Sequence, residues 1–366
     1  MSPKPDEEIV DQDIEPDIYQ DQGQEHIQDE DGEEEEEECL LTKAEHHYEM
    51  DQLSKAAKIL RSLDASTLQE KHHAMLKRIK ESEDLVKDMK SNANSESDSD
   101  ADADAGWIDN GISKGKFPTR VLYRMEHSSD EIPVIELRAK CETPISKDLL
   151  EPLLSVLNET QLYETWLPSF SVPKLQIREC KKLKQSGRVS QIIYLVMDIP
   201  WPMAARELIL HAAAFDNIDE DGQLGIKLKT IQTGDDEVVP EPDPKTVRLG
   251  VDGGFLFEKC PTNHPCMEFV PDDEDKEDMI LVSFSALVNP NMKYLPQSFL
   301  NFLVKVAFAT AWKVLLKIAT DVQHGKRPDH TEAISSKVEL YDYVRERLVA
   351  MLSAMTNAAG IIASSS

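Results

Sequence analysis

The stretch "YLPQSFLNFLVKVAFATAWKVLLKIATDVQHG", residues 294 to 325, constrains this chain more than any other. From Phe299 to Ala319 it is long and apolar enough to cross a bilayer. Its helical wheel argues otherwise. Ser298, Asn301, Lys305, Lys313, Lys317 and Thr320 fall on one arc, and Leu300, Val304, Ala307, Ala311, Leu315 and Ile318 lie opposite. Three lysines at mid-span are expensive in hydrocarbon. The stretch therefore predicts an amphipathic helix with an unusually wide apolar face, stopped by Gly325 and Pro328. Such a face requires a concave partner.

The partner is legible upstream. "TRVLYRME", "PVIELRAK", "KLQIRECKKLK", "RVSQIIYLVMDI", "ELILHAAAF", "QLGIKLKTIQ", "TVRLGV", "GGFLFEK", "CMEFV" and "MILVSFSALV" are β-rich runs separated by turn-forming or acidic loops. Their spacing predicts meandering antiparallel strands in one strongly curved sheet. In "QLGIKLKTIQ", Leu224, Ile226 and Leu228 alternate with Lys227 and Lys229, which predicts one dry face and one wet face. A single early helix interrupts the series, "SKDLLEPLLSVLN", with Ser146 as its N-cap.

The net charge of -29 is unevenly placed. Residues 1–38 hold 18 acids against the single Lys4, and residues 91–105 add five acids and no base. Blocks of like charge repel and do not bury a core, so 1–39 reads as a disordered acidic tail and 91–106 as a polar linker. Ser95, Ser97 and Ser99 in that linker each precede an acid by three residues, as an acidophilic kinase prefers; an unmodified spacer is the competing reading. This balance excludes nucleic acid as a partner, because such binding rests on cations that neutralise phosphates. Five cysteines at irregular spacing read as reduced thiols, and the acidic N-terminus has no apolar run, so the expected compartment is cytoplasmic.

Between these acidic tracts, residues 40–90 read as a helical hairpin or short coiled coil. Leu53, Ala57, Leu60 and Leu63 mark the face of the first helix. Leu68, His72, Met75, Ile79, Ser82, Val86 and Met89 mark a 4-3-4-3 seam on the second. The two helices either cover each other or offer the seam to a protein partner or a second copy. The remaining boundaries fall at 107–328 for the sheet and its helix, and at 329–366 for a further C-terminal helix and a flexible tail.

Taken in order, the elements make an α+β helix-grip fold, with the curved antiparallel sheet wrapped around the long C-terminal helix and an apolar cavity between them. From about 117 to 325 the chain also resembles the START domain family, the lipid-transfer domains related to the steroidogenic acute regulatory protein. The resemblance rests on "NETQLYETWLPSF", "DIPWPMAARE", "KCPTNHPCMEFV" and "LVSFSALVNPNMKYLPQSFLNFLVK", which occur in family-like order. It implies intracellular lipid binding and lipid transfer, a lipid partner (sterol, phospholipid or other acyl lipid) and transient membrane contact. The alternative is a lipid-sensing regulatory or scaffold protein acting through the 40–90 helices.

In "DIPWPMAARE", Pro200 and Pro202 cannot donate to a ladder, so the strand breaks and turns there. The expected corner comprises Asp198, Pro200, Trp201, Pro202 and Arg206. Trp201 would cap the apolar interior, and Arg206 would pair with Asp198 or with loop carbonyls. Family members that carry sterol place an arginine and an acid inside the cavity. Carried over without gaps, these positions fall at Ala212 and Ile193, both apolar. Either the cavity lacks the pair or the register slips by one residue and brings His211 inward.

The residues expected to face ligand or lid are Trp166, Phe255, Leu281 and Ser283 from the sheet side. From the helix they are Leu300, Leu303, Val304, Ala307 and Ala311. Cys260, His264 and Cys266 do not match a four-ligand zinc pattern, and no metal or other cofactor is expected. No G-x-S-x-G, H-E-x-x-H, P-loop or dinucleotide fingerprint is present, and the chain is not expected to be an enzyme.

Overall fold

The structure, a computed structural model, describes residues 27–91, 107–127, 135–272, 274–292 and 296–364. The linker serines at 95, 97 and 99 lie outside the described residues. The strands are β1 (Ile108–Ser113), β2 (Thr119–His127), β3 (Ile135–Ser146), β4 (Phe170–Ser171), β5 (Lys174–Gly187) and β6 (Ser190–Asp198). They continue as β7 (Ala205–Asn217), β8 (Gln223–Thr230), β9 (Thr246–Arg248), β10 (Gly250–Lys259) and β11 (Met279–Asn289). All belong to one 11-stranded sheet in the order β1-β2-β3-β11-β10-β8-β7-β6-β5-β4. Every neighbouring pair along that path is antiparallel; among the described strands β9 alone runs parallel, against β7.

The helices are α1 (Ile27–Glu49), α2 (Leu53–Ser62), α3 (Glu70–Ser91), α4 (Leu150–Asn158) and the one-turn α5 (Ile218–Asp221). The grip helix follows as α6 (Gln297–Phe302), a π-helical segment (Leu303–Phe308) and α7 (Ala309–Gln323), then α8 (Pro328–Ser335) and α9 (Val338–Ser364). The chain is thus the helix-grip arrangement that the strand series and the wide apolar helix predict. Leu300, Val304, Trp312, Leu315, Leu316 and Ala319 are buried against the inner face of the sheet, while Lys305, Lys313 and Lys317 are exposed. By length and mean hydropathy alone, Ser298–Gln323 would pass for a membrane span. Its apolar face is instead packed against α4 and the sheet. The early helix begins later than "SKDLL" predicts: Ser146 ends β3 without a capping hydrogen bond, and a short 3-10 turn, Lys147–Leu149, precedes α4.

The N-terminal part departs most from its expectation. Helix α1 starts at Ile27, inside the segment read as a disordered tail, and runs through "EEEEEE". Glutamate is a good helix former, and this helix is anchored at its far end by the fully buried Ala44 and by Thr67 donating to Glu37 at 2.9 Å. The α2–α3 hairpin neither pairs only with itself nor leaves its seam open. Met75, Ile79 and Leu85 of α3, with Leu53, Ala57 and Leu60 of α2, pack on Phe215 of β7 and Leu256 of β10. Burial of each such side chain stabilises by about 1.5–3 kcal/mol before chain entropy is counted.

The hairpin therefore covers the outer face of the sheet. The face of β8 expected to be wet is partly roofed, with Lys229 paired to Glu81 of α3 at 2.6 Å. Gly225 is required by this packing, since a Cβ there would lie 1.9 Å from the Phe215 ring. His72, Met75, Ile79 and Ser82 of the seam are buried within the chain.

The C-terminal extension is likewise no separate unit. Leu348, Met351 and Met355 of α9 belong to the same core cluster as the grip helix. Its docking is polar as well as apolar. The fully buried Glu159 accepts from Tyr341 at 2.7 Å and pairs with Lys337. At the far end Arg347 pairs with Asp216 and Asp219, and the Tyr343 hydroxyl donates to the carbonyl of Met50 at 2.8 Å.

Candidate functional site: an apolar cavity between sheet and helices

A cavity of about 320 Å³ lies between the inner face of the sheet and the helices. Its floor is β6, β7, β8, β10 and β11, through residues such as Ile193, Leu210, Ala212, Ile226, Phe255 and Phe284. Its roof is the grip helix, through Phe308 of the π-helical segment and Ala311, Trp312 and Leu315 of α7, and its sides are the end of α4, the 160–167 turn and α9. The alternation in β8 decides which side chains reach it. Leu224, Ile226 and Leu228 line the cavity, and the lysines between them point outward.

The register question raised by Ala212 and Ile193 is resolved by the pairing of β6 with β7. Ile193 pairs with Leu210 and Ile192 with His211. Ile193 and Ala212 are both on the cavity wall, and they pack together with Cys180. His211 bonds Ser190 at 2.7 Å and is not on the wall. Burial among these groups and the nearby Arg78 cation hold its pKa below the usual histidine value. At these two positions the cavity wall is therefore apolar.

Three of the expected ligand-facing residues, Trp166, Phe255 and Ala311, stand on the wall. Leu300, Val304 and Ala307 are buried on the grip helix and Leu303 is partly buried, Leu300, Val304 and Leu303 belonging to the main core, and none of the four lines the cavity. Leu281 and Ser283 are corrected. Leu281 packs with Cys260, Met267, Val270 and Met279 in a separate cluster. In β11 it is Val282 and Phe284 that face the core, and the pleat sends their neighbours to the other side. Sequence reasoning missed the α9 wall altogether (Leu340, Tyr341, Tyr343, Val344, Arg347 and Leu348), although the apolar spacing within "LYDYVRERLVAML" carries a signal for it.

Among the described residues, charged groups reach the cavity only at one end, and there they are mutually satisfied. Asp51 accepts from Arg78 at 2.9 Å, and Asp216 pairs with Arg347. Burial raises the Asp51 pKa despite Arg78. Burial acts to raise Glu159 too, but Lys337 and the Tyr341 hydroxyl outweigh it and hold the carboxyl below its ordinary value. This end is where the α1–α2 turn, the β7–β8 turn and α9 meet.

The opposite end holds the proline corner. Asp198 pairs with Lys174 at 3.0 Å and with Arg178, while Arg206 donates to the carbonyls of Pro290 at 3.2 Å and Ala204 at 2.5 Å. Of the two alternatives for Arg206, the loop carbonyls are realised. Trp201 does not cap the interior: it is 91% exposed. The turn closed by Met203 N–H on the Pro200 carbonyl (3.1 Å) carries Trp201 outward, and Ile199 and Met203 take the inner positions. Val172, in the neighbouring β4–β5 turn, is equally exposed.

The Cys260, His264 and Cys266 group is a packing turn. His264 lies 3.3 Å from Glu142 and accepts from the Cys266 backbone N–H at 3.2 Å. Burial pushes both thiols up to about 12. No group of three or more metal-ligating side chains is found among the described residues.

The fold and this cavity define the class: a helix-grip protein with an internal, largely apolar chamber. Among solved structures, human STARD10 is similar with a TM-score of 0.44 and 14% identity, over 69% of this chain and 86% of that one. Human StAR-related lipid transfer protein 5 is similar with a TM-score of 0.42 and 16% identity, over 66% and 95%. A STAR-related lipid transfer protein from Xanthomonas axonopodis has a TM-score of 0.39 and 18% identity, over 59% and 99%. Likeness at this level does not extend to ligand or activity. No family model matches the chain, and no curated protein matches it.

Proposed function

We propose that the chain is a non-enzymatic, cytoplasmic lipid-binding protein that holds one lipid between the sheet and the grip helix and transfers it between membranes. The observation that carries this reading is the cavity itself: about 320 Å³, walled from both sides by apolar side chains, with its few charges paired among themselves at one end. That volume is near the lower limit of small-molecule sites, roughly 300–1,000 Å³, and it favours a single chain or ring system over a two-chain phospholipid. Apolar burial at about 25 cal/mol per Å² holds such a ligand without polar contacts.

Access requires movement, and the π-helical segment Leu303–Phe308, which reaches the cavity through Phe308, is the natural hinge. The exposed Trp201 and Val172 beside Lys174 and Arg178 form the surface best suited to transient membrane contact.

A second reading, lipid sensing, is favoured by Phe215. This side chain both lines the cavity and packs under the N-terminal hairpin, so cavity occupancy and hairpin docking share a wall. A vesicle assay separates the two readings. A carrier moves a fluorescent acyl lipid from donor to acceptor vesicles in proportion to protein added. A sensor binds the lipid without accelerating its exchange, and that result would displace the transfer reading.

A further inference from the structure

The polar groups on the cavity wall are nearly all engaged within the protein. Gln191 donates to the Asn158 carbonyl at 3.1 Å and accepts from Thr160 at 3.3 Å. The Tyr163 hydroxyl donates to the Leu157 carbonyl at 2.7 Å, and the Trp312 indole N–H donates to Thr143 at 2.8 Å. Trp166 differs. It is 9% exposed and stands on the wall, and its indole Nε1 is buried with no hydrogen-bond partner. Among the described residues it is the only wall side chain with such an orphaned atom.

Buried donors are rarely left unpaired, because each forfeits its bond to water without replacement. Local packing holds the ring in place. Trp166 closes the 3-10 turn Thr160–Thr165, its backbone N–H bonds the Tyr163 carbonyl at 3.2 Å, and its ring meets the edge of Tyr163 at 5.3 Å.

Resting on the lipid-binding reading, we infer that Trp166 Nε1 is the polar anchor of the site and that the ligand brings the acceptor. An indole N–H donates only, so the ligand must present an acceptor oxygen there. That oxygen belongs to a neutral group. Among the described wall residues the one cation, Arg347, is held by Asp216 and Asp219, so a buried phosphate or carboxylate would find no counter-charge. The ligand class is a neutral lipid with an ester or ketone carbonyl attached to a single long apolar body.

The test uses the full chain and two probes of matched length, methyl palmitate and heptadecane, each offered in phosphatidylcholine vesicles. Retention per protein is measured after the vesicles are removed. The wild type should hold the ester about three- to tenfold more tightly than the alkane, the range of one neutral hydrogen bond. Trp166→Phe keeps the ring and deletes the donor. It should bring the ester down to the level the same variant shows for the alkane, and unfold at no lower temperature than the ligand-free wild type. Equal retention of both probes by the wild type overturns the inference while leaving lipid binding intact. A variant that loses both probes in parallel overturns it as well, since Trp166 is then only wall. If the wild type retains neither probe, the lipid-binding reading fails and the anchor fails with it.

Discussion

Filling the cavity from the helix side separates a chamber built for a ligand from one that is merely imperfect packing. Ala311 sits on the roof at the start of α7, between Phe308 and Trp312 and above the floor formed by Phe255 and Phe284. Ala311→Phe projects a ring into about 320 Å³ of space. The ring gains on the order of 100 Å² of buried apolar surface, or about 2.5 kcal/mol. Against this stand a helix-propensity loss of about 0.5 kcal/mol and a packing misfit of about 1–3 kcal/mol. The expected change in stability is therefore within about 1 kcal/mol of zero.

Ligand binding responds quite differently to the same substitution. A ring in the chamber displaces roughly four methylenes of a bound chain, which at about 0.8 kcal/mol each is about 3 kcal/mol, or two orders of magnitude in Kd. Urea unfolding and titration with a fluorescent acyl probe read the two quantities separately. Unchanged affinity in a folded variant would refute the placement of the ligand. A loss of more than about 3 kcal/mol in stability would show that the space is not free.

Three further outcomes follow from the packing of the termini. Glu159→Gln removes the charge that holds Lys337, leaving an ammonium with partial solvent access; about 2 kcal/mol of stability should be lost in urea unfolding, and limited proteolysis should cut the α8–α9 extension first. His330 of α8 is fully buried, and burial lowers its pKa from 6.5, so the unfolded state binds the proton more readily. Its contribution is full above pH 6.5 and is lost as pH falls from there through its folded value, so the wild-type melting temperature should drop more steeply than that of His330→Leu between pH 7.5 and 5.5. Gly225→Ala drives a methyl into the Phe215 ring and should release the α2–α3 hairpin, seen as faster amide exchange in 53–87 before the sheet itself opens.

The grip could be read from the chain because its two halves carry different periods: apolar residues on one arc of 294–325, and alternation in strands such as "QLGIKLK". What alternation leaves open is which of two faces turns inward. In β11, "MILVSFSALV" is buried on both sides, so hydrophobicity cannot separate Leu281 and Ser283 from Val282 and Phe284, and the ligand-facing assignment missed by one residue. The same limit hid the hairpin's destination. The seam at Met75 and Ile79 shows that α3 covers something apolar but not that Phe215 and Leu256 are what it covers. Trp201 misled because its size predicts burial, whereas the Pro200–Met203 turn places it outside. The wall made by α9 depends on contacts such as Glu159 with Lys337 and Arg347 with Asp216, which join residues more than a hundred positions apart.

The most direct test of the central claim is native mass spectrometry of the full chain purified from eukaryotic cells, followed by extraction and identification of any bound small molecule. A single adduct of lipid mass, lost on denaturation and absent from Ala311→Phe, is the predicted result. A bare chain that takes up nothing from mixed liposomes would contradict it.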